Sequence, residues 1–273
     1  MNIEKKLKDL PHIYYFNLDQ DKDRLLSMET QFDQLKIKNH TRISGNNFLC
    51  DEIKDWEHLL IGNYTWNTRH LVANFVSHIK FFNQWLKNTN DEYLIIMEDD
   101  YDFTLMDYWH FSWNDLMNNL PANWDCIQLG YEHSQHIIFC LHFKPPIEQL
   151  FGPCLLNRSF VKKIVRLYYD NGKFLINRKQ AFEKNHPNII PYSVDTAIIN
   201  DGVTYRLPLI TTKPEFIRPE RASMHDFFPD CASTYHYWWK IKKNTISLDK
   251  FWEFSLSNVD EMAQPVTDYS EYL

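Results

Sequence analysis

Apolar runs of strand length alternate with stretches of helical period through the first half of the chain, and this alternation constrains the fold most. His12-Ile-Tyr-Tyr-Phe-Asn-Leu18 is a continuous apolar run ending in the polar turn Asp19-Gln-Asp-Lys-Asp23, as expected of a strand buried on both faces. From about Arg24 to Lys36, Leu25, Met28, Phe32 and Leu35 recur at helical spacing. Asn39 to Gly45 reads as a second short strand and turn. A stronger helix is expected from about Arg69 to Asn88, with Leu71, Phe75, Ile79, Phe82 and Leu86 as its apolar stripe. Tyr93 to Met97 is again a buried strand. The order predicts an α/β fold with a mixed, mainly parallel sheet flanked by helices.

Later signals are weaker. Residues 46–66 form a polar, aromatic-bearing loop with room for one short helix. A helix is expected from Trp109 to Asn119, before Pro121. Strands are expected at Trp124–Gly130, at Ile137–Phe143, and at Gly152–Leu156 leading into a helix from Arg158 to Tyr169. A short helix starts within Ser193–Ile199, and Tyr205–Ile210 is a late strand that Pro208 places at a sheet edge. No linker divides the chain, so 1–246 is read as one domain and 247–273 as an extension packed on it.

Bulk properties exclude several classes. With 29 basic against 36 acidic residues and a net charge of -7, no general basic face for nucleic acid is expected. The five cysteines contain no C-x-x-C pair, which argues against a zinc site or disulfide framework and for a reducing, cytoplasmic setting. The start lacks an apolar signal region, and no apolar run reaches membrane-span length. Six glycines leave no Gly-rich phosphate loop. Abundant Asn, Lys, Ile, Tyr and Phe point to an AT-rich coding source, a virus in its host's cytoplasm included. Aromatics reach 16%, read first as core; Tyr235, Tyr237, Trp238 and Trp239 are a packed lid or a platform for sugar rings.

Glu98-Asp99-Asp100 closes the Tyr93–Met97 run, and ligands of open α/β sheets gather beyond the carboxyl ends of strands. Adjacent carboxylates there repel one another, and a hard divalent cation such as Mn2+ or Mg2+ relieves the repulsion while leaving positions open for phosphate. A solvated acidic turn is the competing reading.

The neighbouring motifs carry a resemblance. Tyr15-Phe16-Asn17-Leu18 is followed by Arg24, Val76-Ser77-His78-Ile79-Lys80 by Trp85, and Leu94-Ile-Ile-Met97 runs into Glu98-Asp99-Asp100. In order and spacing these resemble glycosyltransferase family 25, the lipooligosaccharide and collagen galactosyltransferase group. Echoes follow at Trp124–Gly130 and Gly152–Ser159, so the resemblance spans about residues 11–210. Leu71–Phe75 and Tyr101-Asp102 depart from the family pattern.

The resemblance implies a GT-A (Rossmann-like) fold and transfer of a hexose, galactose or glucose, from a UDP-sugar to a hydroxyl acceptor such as a glycan, with inversion. It implies that Asp100 ligates the metal with Glu98 beside it or facing the ribose, and that Asp99 belongs to the nucleotide-sugar site. Asn17 and Leu18 would lie beside base and ribose, and Arg24 would pair with the diphosphate or remain an exposed helix-start arginine. Ser77, His78 and Lys80 would point into the donor cleft, with a core position the alternative for His78. A late ligand is expected at His225, which is otherwise a loop residue. Asp195 is the expected general base, though it also suits a helix cap; Asp125 is the runner-up. Competing functions are a non-catalytic nucleotide-sugar-binding relative and a metal-dependent phosphoesterase or phosphotransferase.

Overall fold

The computed structural model describes residues 1–45, 57–62, 69–130, 136–138, 141–143, 152–176, 194, 198, 201–207, 209–213, 216 and 263–265. Seven strands form the main sheet: β1 (Ile13–Asn17), β2 (His40–Ser44), β3 (Tyr93–Glu98), β4 (Cys126–Gln128), β5 (His142–Phe143), β6 (Cys154–Asn157) and β7 (Thr204–Arg206). Their order is β2-β1-β3-β6-β4-β7-β5. β1 pairs in parallel with β2 and β3, and β4 with β7; β6 is antiparallel to both its neighbours, and β5 is antiparallel to β7. The mixed α/β architecture with a mainly parallel sheet flanked by helices is therefore as expected.

Alternation along the strands divides the interior into two cores. Ile13, Tyr15, Ile95, Met97, Ile127 and Leu155 face Met28 and Phe32 of helix α2 (Lys22–Leu35), and Trp113 and Leu116 of α4 (Trp113–Asn119). Tyr14, Phe16, Leu94, Ile96, Cys126 and Leu156 face Phe75, Ile79 and Phe82 of α3 (Arg69–Asn88) and Phe160 and Ile164 of α5 (Arg158–Tyr168). Period-two strands sandwiched between period-3.6 helices bury both faces, so β1 carries no exposed residue. A short N-terminal helix, α1 (Ile3–Lys6), is tied down by buried Lys6, which donates to the carbonyls of Met106 (2.7 Å) and Asp107 (2.9 Å).

Several expectations need correction. The helix expected from Trp109 starts at Trp113, where Ser112 and Asp115 form a reciprocal capping box; a 3-10 helix, Thr104–Tyr108, precedes it. The strand expected over 137–143 is two, His136–Ile138 and β5. β7 is not an edge strand, because β4 and β5 flank it. It ends at Arg206; Pro208, on which the edge expectation rested, lies outside the described residues. Ala263–Pro265, in the extension, pairs with His136–Ile138. Among the described residues no helix is long and apolar enough to cross a membrane.

Candidate functional site

β1 and β3 lie side by side with Phe16 opposite Glu98, so Asn17 and the acidic triplet reach the same carboxyl-end edge of the sheet. Strand alternation then sends neighbouring side chains to opposite faces. Glu98 turns toward α3, where Asn74 Nδ2 donates to it at 2.6 Å. Asp99 turns toward α2 and is 5% exposed. Asn17 Nδ2 donates to Asp99 Oδ2 at 2.6 Å, and Arg24 Nη1 donates to Asp99 Oδ1 at 2.9 Å. The same Nη1 stands 3.5 Å from Asp100 Oδ2. Burial pushes the Asp99 carboxyl up, against the pull of Asn17 and Arg24. Burial also opposes the charge on Arg24, but Asp100 and Asp99 outweigh it and raise the guanidinium's pKa.

Asn17 is fully engaged. Its Nδ2 also reaches the Asp21 carbonyl at 3.0 Å, and its Oδ1 accepts from Arg42 Nε at 2.8 Å. Its carbonyl accepts from Gly45 N–H at 3.0 Å and from Arg42 Nη2 at 3.4 Å. Arg42 also pairs with Asp19. A chain of polar contacts thus runs Arg42–Asn17–Asp99–Arg24–Asp100 across β2, β1, the acidic turn and α2. Leu18 is half-buried beside it.

Thr211–Thr212 pairs with Tyr101–Asp102 just past the triplet, which brings in two residues the sequence did not flag. Lys213 N–H donates to the Asp100 carbonyl at 2.7 Å, and its Nζ bonds Ser27 Oγ at 2.8 Å. The Phe216 carbonyl accepts from Arg24, and the Phe216 ring lies 5.5 Å from the Arg24 guanidinium carbon. Arg42 and Asn74 were missed as well. Asn74 carried one signal, its place one helical turn before His78; Lys213 and Phe216 carried none, because β-pairing alone places them.

The Ser77-His78 part of α3 is closed. His78 is 1% exposed, stacks on Phe16 at 3.8 Å between ring centroids and donates from Nδ1 to the Asn74 carbonyl at 2.9 Å. Burial lowers its pKa to about 4, so the ring is neutral near pH 7. It stands as a core histidine one turn from the Glu98 partner, not as a group facing an open cleft. Ser77 is also buried and Lys80 is exposed. Asp125 accepts from Val203 N–H at 3.0 Å just before β4. That is the end of the strand away from the triplet, which removes Asp125 as a base. Asp195 and His225 lie outside the described residues, as do Tyr235, Tyr237, Trp238 and Trp239.

Glu98 and Asp100, both carboxylates of intermediate exposure, have the right donor chemistry for a hard divalent ion. Asp99 does not fit, being buried against Asn17 and Arg24. Among the described residues no three His, Cys, Asp or Glu side chains gather to hold a metal, so an ion at Asp100 would complete its shell with water, phosphate or other residues.

No family model and no curated protein matches the chain. Among solved structures, the crystal structure of A197 from STIV matches with a TM-score of 0.41 and 10% identity, covering 74% of this chain and 83% of that one. At that similarity it carries no functional argument.

Proposed function

We propose that the chain is a metal-dependent glycosyltransferase of the GT-A type. It moves a hexose, galactose or glucose, from a UDP-sugar to a hydroxyl of a glycan or other acceptor, with inversion. One observation carries this reading. Asn17, Arg24, Asp99 and Asp100, from three separate segments singled out by the family resemblance, meet at the carboxyl ends of two adjacent parallel strands, where α/β sheets bind nucleotides.

Asp100 would hold Mn2+ or Mg2+, with Glu98 oriented by Asn74, and the bound ion would supply positive charge against the departing nucleoside diphosphate. Asn17 fixes the strand end beside the base and ribose. Arg24 meets the diphosphate as a planar fork donor. Asp195 takes the proton from the acceptor hydroxyl, which sharpens its attack on the anomeric carbon, and His225 adds a late metal ligand.

A screen of UDP- and GDP-sugars for metal-dependent hydrolysis tests the reading. The expected result is Mn2+-dependent release of UDP from one donor and its loss in Asp100→Ala. The absence of both nucleotide binding and release across the panel would sink it. A non-catalytic nucleotide-sugar-binding relative is the second reading, favoured by the way Arg24, Asp99 and Asn17 already satisfy one another. Tight Mn2+-dependent UDP binding without any turnover selects it.

A further inference from the structure

The acidic turn already has a cation beside it. Arg24, in the first turn of α2, bonds Asp99 at 2.9 Å and stands 3.5 Å from Asp100. Its other terminal nitrogen donates to the Phe216 carbonyl. The Arg24 side chain is 14% exposed, and those of Asp99 and Asp100 are 6% and 17% exposed. Charges this buried are weakly screened by salt. An ion bonded to Asp100 at the usual ~2.1 Å would lie within about 6 Å of the guanidinium nitrogen, like charge facing like charge. With Arg24 seated, Asp99 and Asp100 share one net negative charge. Its withdrawal would remove the positive charge that faces an ion at Asp100. A planar fork donor of this kind is also suited to a diphosphate.

We infer that Arg24 is a resident counter-cation that keeps Asp100 from holding a divalent ion tightly until an incoming nucleoside diphosphate draws the guanidinium away. This inference rests on the reading of Asp100 as a metal ligand and specifies how that site fills. Metal and nucleotide bind as a coupled pair, each tightening the other by the same factor. Arg24 acts here as a positioning residue, with an unusual signature. Removing its charge strengthens metal binding by the chain alone, whereas removing a ligand weakens it.

The test follows free Mn2+ by electron paramagnetic resonance during titration of the full chain, with and without UDP. Wild type, Arg24→Gln, Arg24→Lys and Asp100→Asn are compared. Without nucleotide, wild type and Arg24→Lys are expected to bind Mn2+ weakly, and Arg24→Gln at least tenfold more tightly. In wild type, UDP is expected to tighten Mn2+ beyond the affinity of UDP itself for the ion; in Arg24→Gln that gain shrinks. Asp100→Asn removes the site throughout. Asp100-dependent Mn2+ binding that is no tighter in Arg24→Gln than in wild type overturns the inference alone and leaves the metal reading standing. No Asp100-dependent binding in any arm overturns both. The wild-type arm needs no substitution, and a missing UDP-coupled gain there overturns the inference by itself.

Discussion

At the residue scale, His78 and Asp99 show what burial does to ionisable groups beside a site. The pKa of His78 in the folded chain is lowered to about 4 from the ordinary 6.5. The unfolded chain therefore takes up the proton first as pH falls. The stability from the neutral ring is whole above pH 6.5 and is lost between there and pH 4, on the order of 3 kcal/mol. His78→Gln should flatten the acid limb of urea stability by that amount; parallel wild-type and variant curves would contradict the assignment. Asp99→Ala leaves Arg24 without its nearest counter-charge and should cost about 3 kcal/mol in urea unfolding; a loss under about 1 kcal/mol would show that Asp100 alone suffices. Part of the polar motif set was legible in the sequence: Asn17, Arg24, Asp99 and Asp100 do converge, while Glu98 turns to the other face and His78 joins the core. Arg42 was not legible, because a strand arginine reads the same whether it faces solvent or, as here, grips the end of the neighbouring strand.

At the element scale, two joints hold the layers in place. Arg158, the first residue of α5, caps the end of α3. It donates to the carbonyls of Leu86 and Thr89 at 2.8 Å each and to that of Asp91 at 3.1 Å, and it lies 4.8 Å from the Trp85 ring. These bonds satisfy carbonyls that a helix end leaves open. Arg158→Ala should cost about 2 kcal/mol by urea unfolding, and Arg158→Lys should recover less than half, since one ammonium cannot span the fork. The second joint is the crossing of Gly130 and Gly152. A Cβ on Gly152 would lie 1.8 Å from the Gly130 carbonyl oxygen, and one on Gly130 would lie 2.2 Å from that of Ile210. Gly152→Ala should therefore shift backbone and lose more than about 3 kcal/mol, read as a lowered thermal midpoint. The helix Arg69–Asn88 was legible to the residue from its stripe, whereas α2 starts two residues before the expected Arg24. The direction of β6 was not legible. A four-residue apolar strand reads the same in either direction, and chain connection, not local pattern, turned Cys154–Asn157 against its neighbours.

At the scale of the whole molecule, the sheet sets the site. Parallel β2, β1 and β3 end together, so the polar network of Arg42, Asn17, Asp99, Arg24 and Asp100 forms at one edge of the sheet. The fold class was legible because strand runs and helical stripes alternate through the first ninety-odd residues, interrupted only by the polar loop expected at 46–66. The acidic triplet was legible as a place but not as an arrangement. Period-two alternation split Glu98 from Asp99, and Arg24 took a position that the sequence alone would have left to a metal. The central claim is that this edge binds a nucleoside diphosphate through a divalent ion at Asp100. Isothermal titration of UDP into the full chain tests it most directly, with Mn2+, with EDTA, and in Asp100→Ala. The account predicts saturable binding with Mn2+ that EDTA or the substitution abolishes. No binding of UDP or any other nucleoside diphosphate or nucleotide sugar with Mn2+ present, or UDP binding that EDTA and Asp100→Ala leave unchanged, would contradict it.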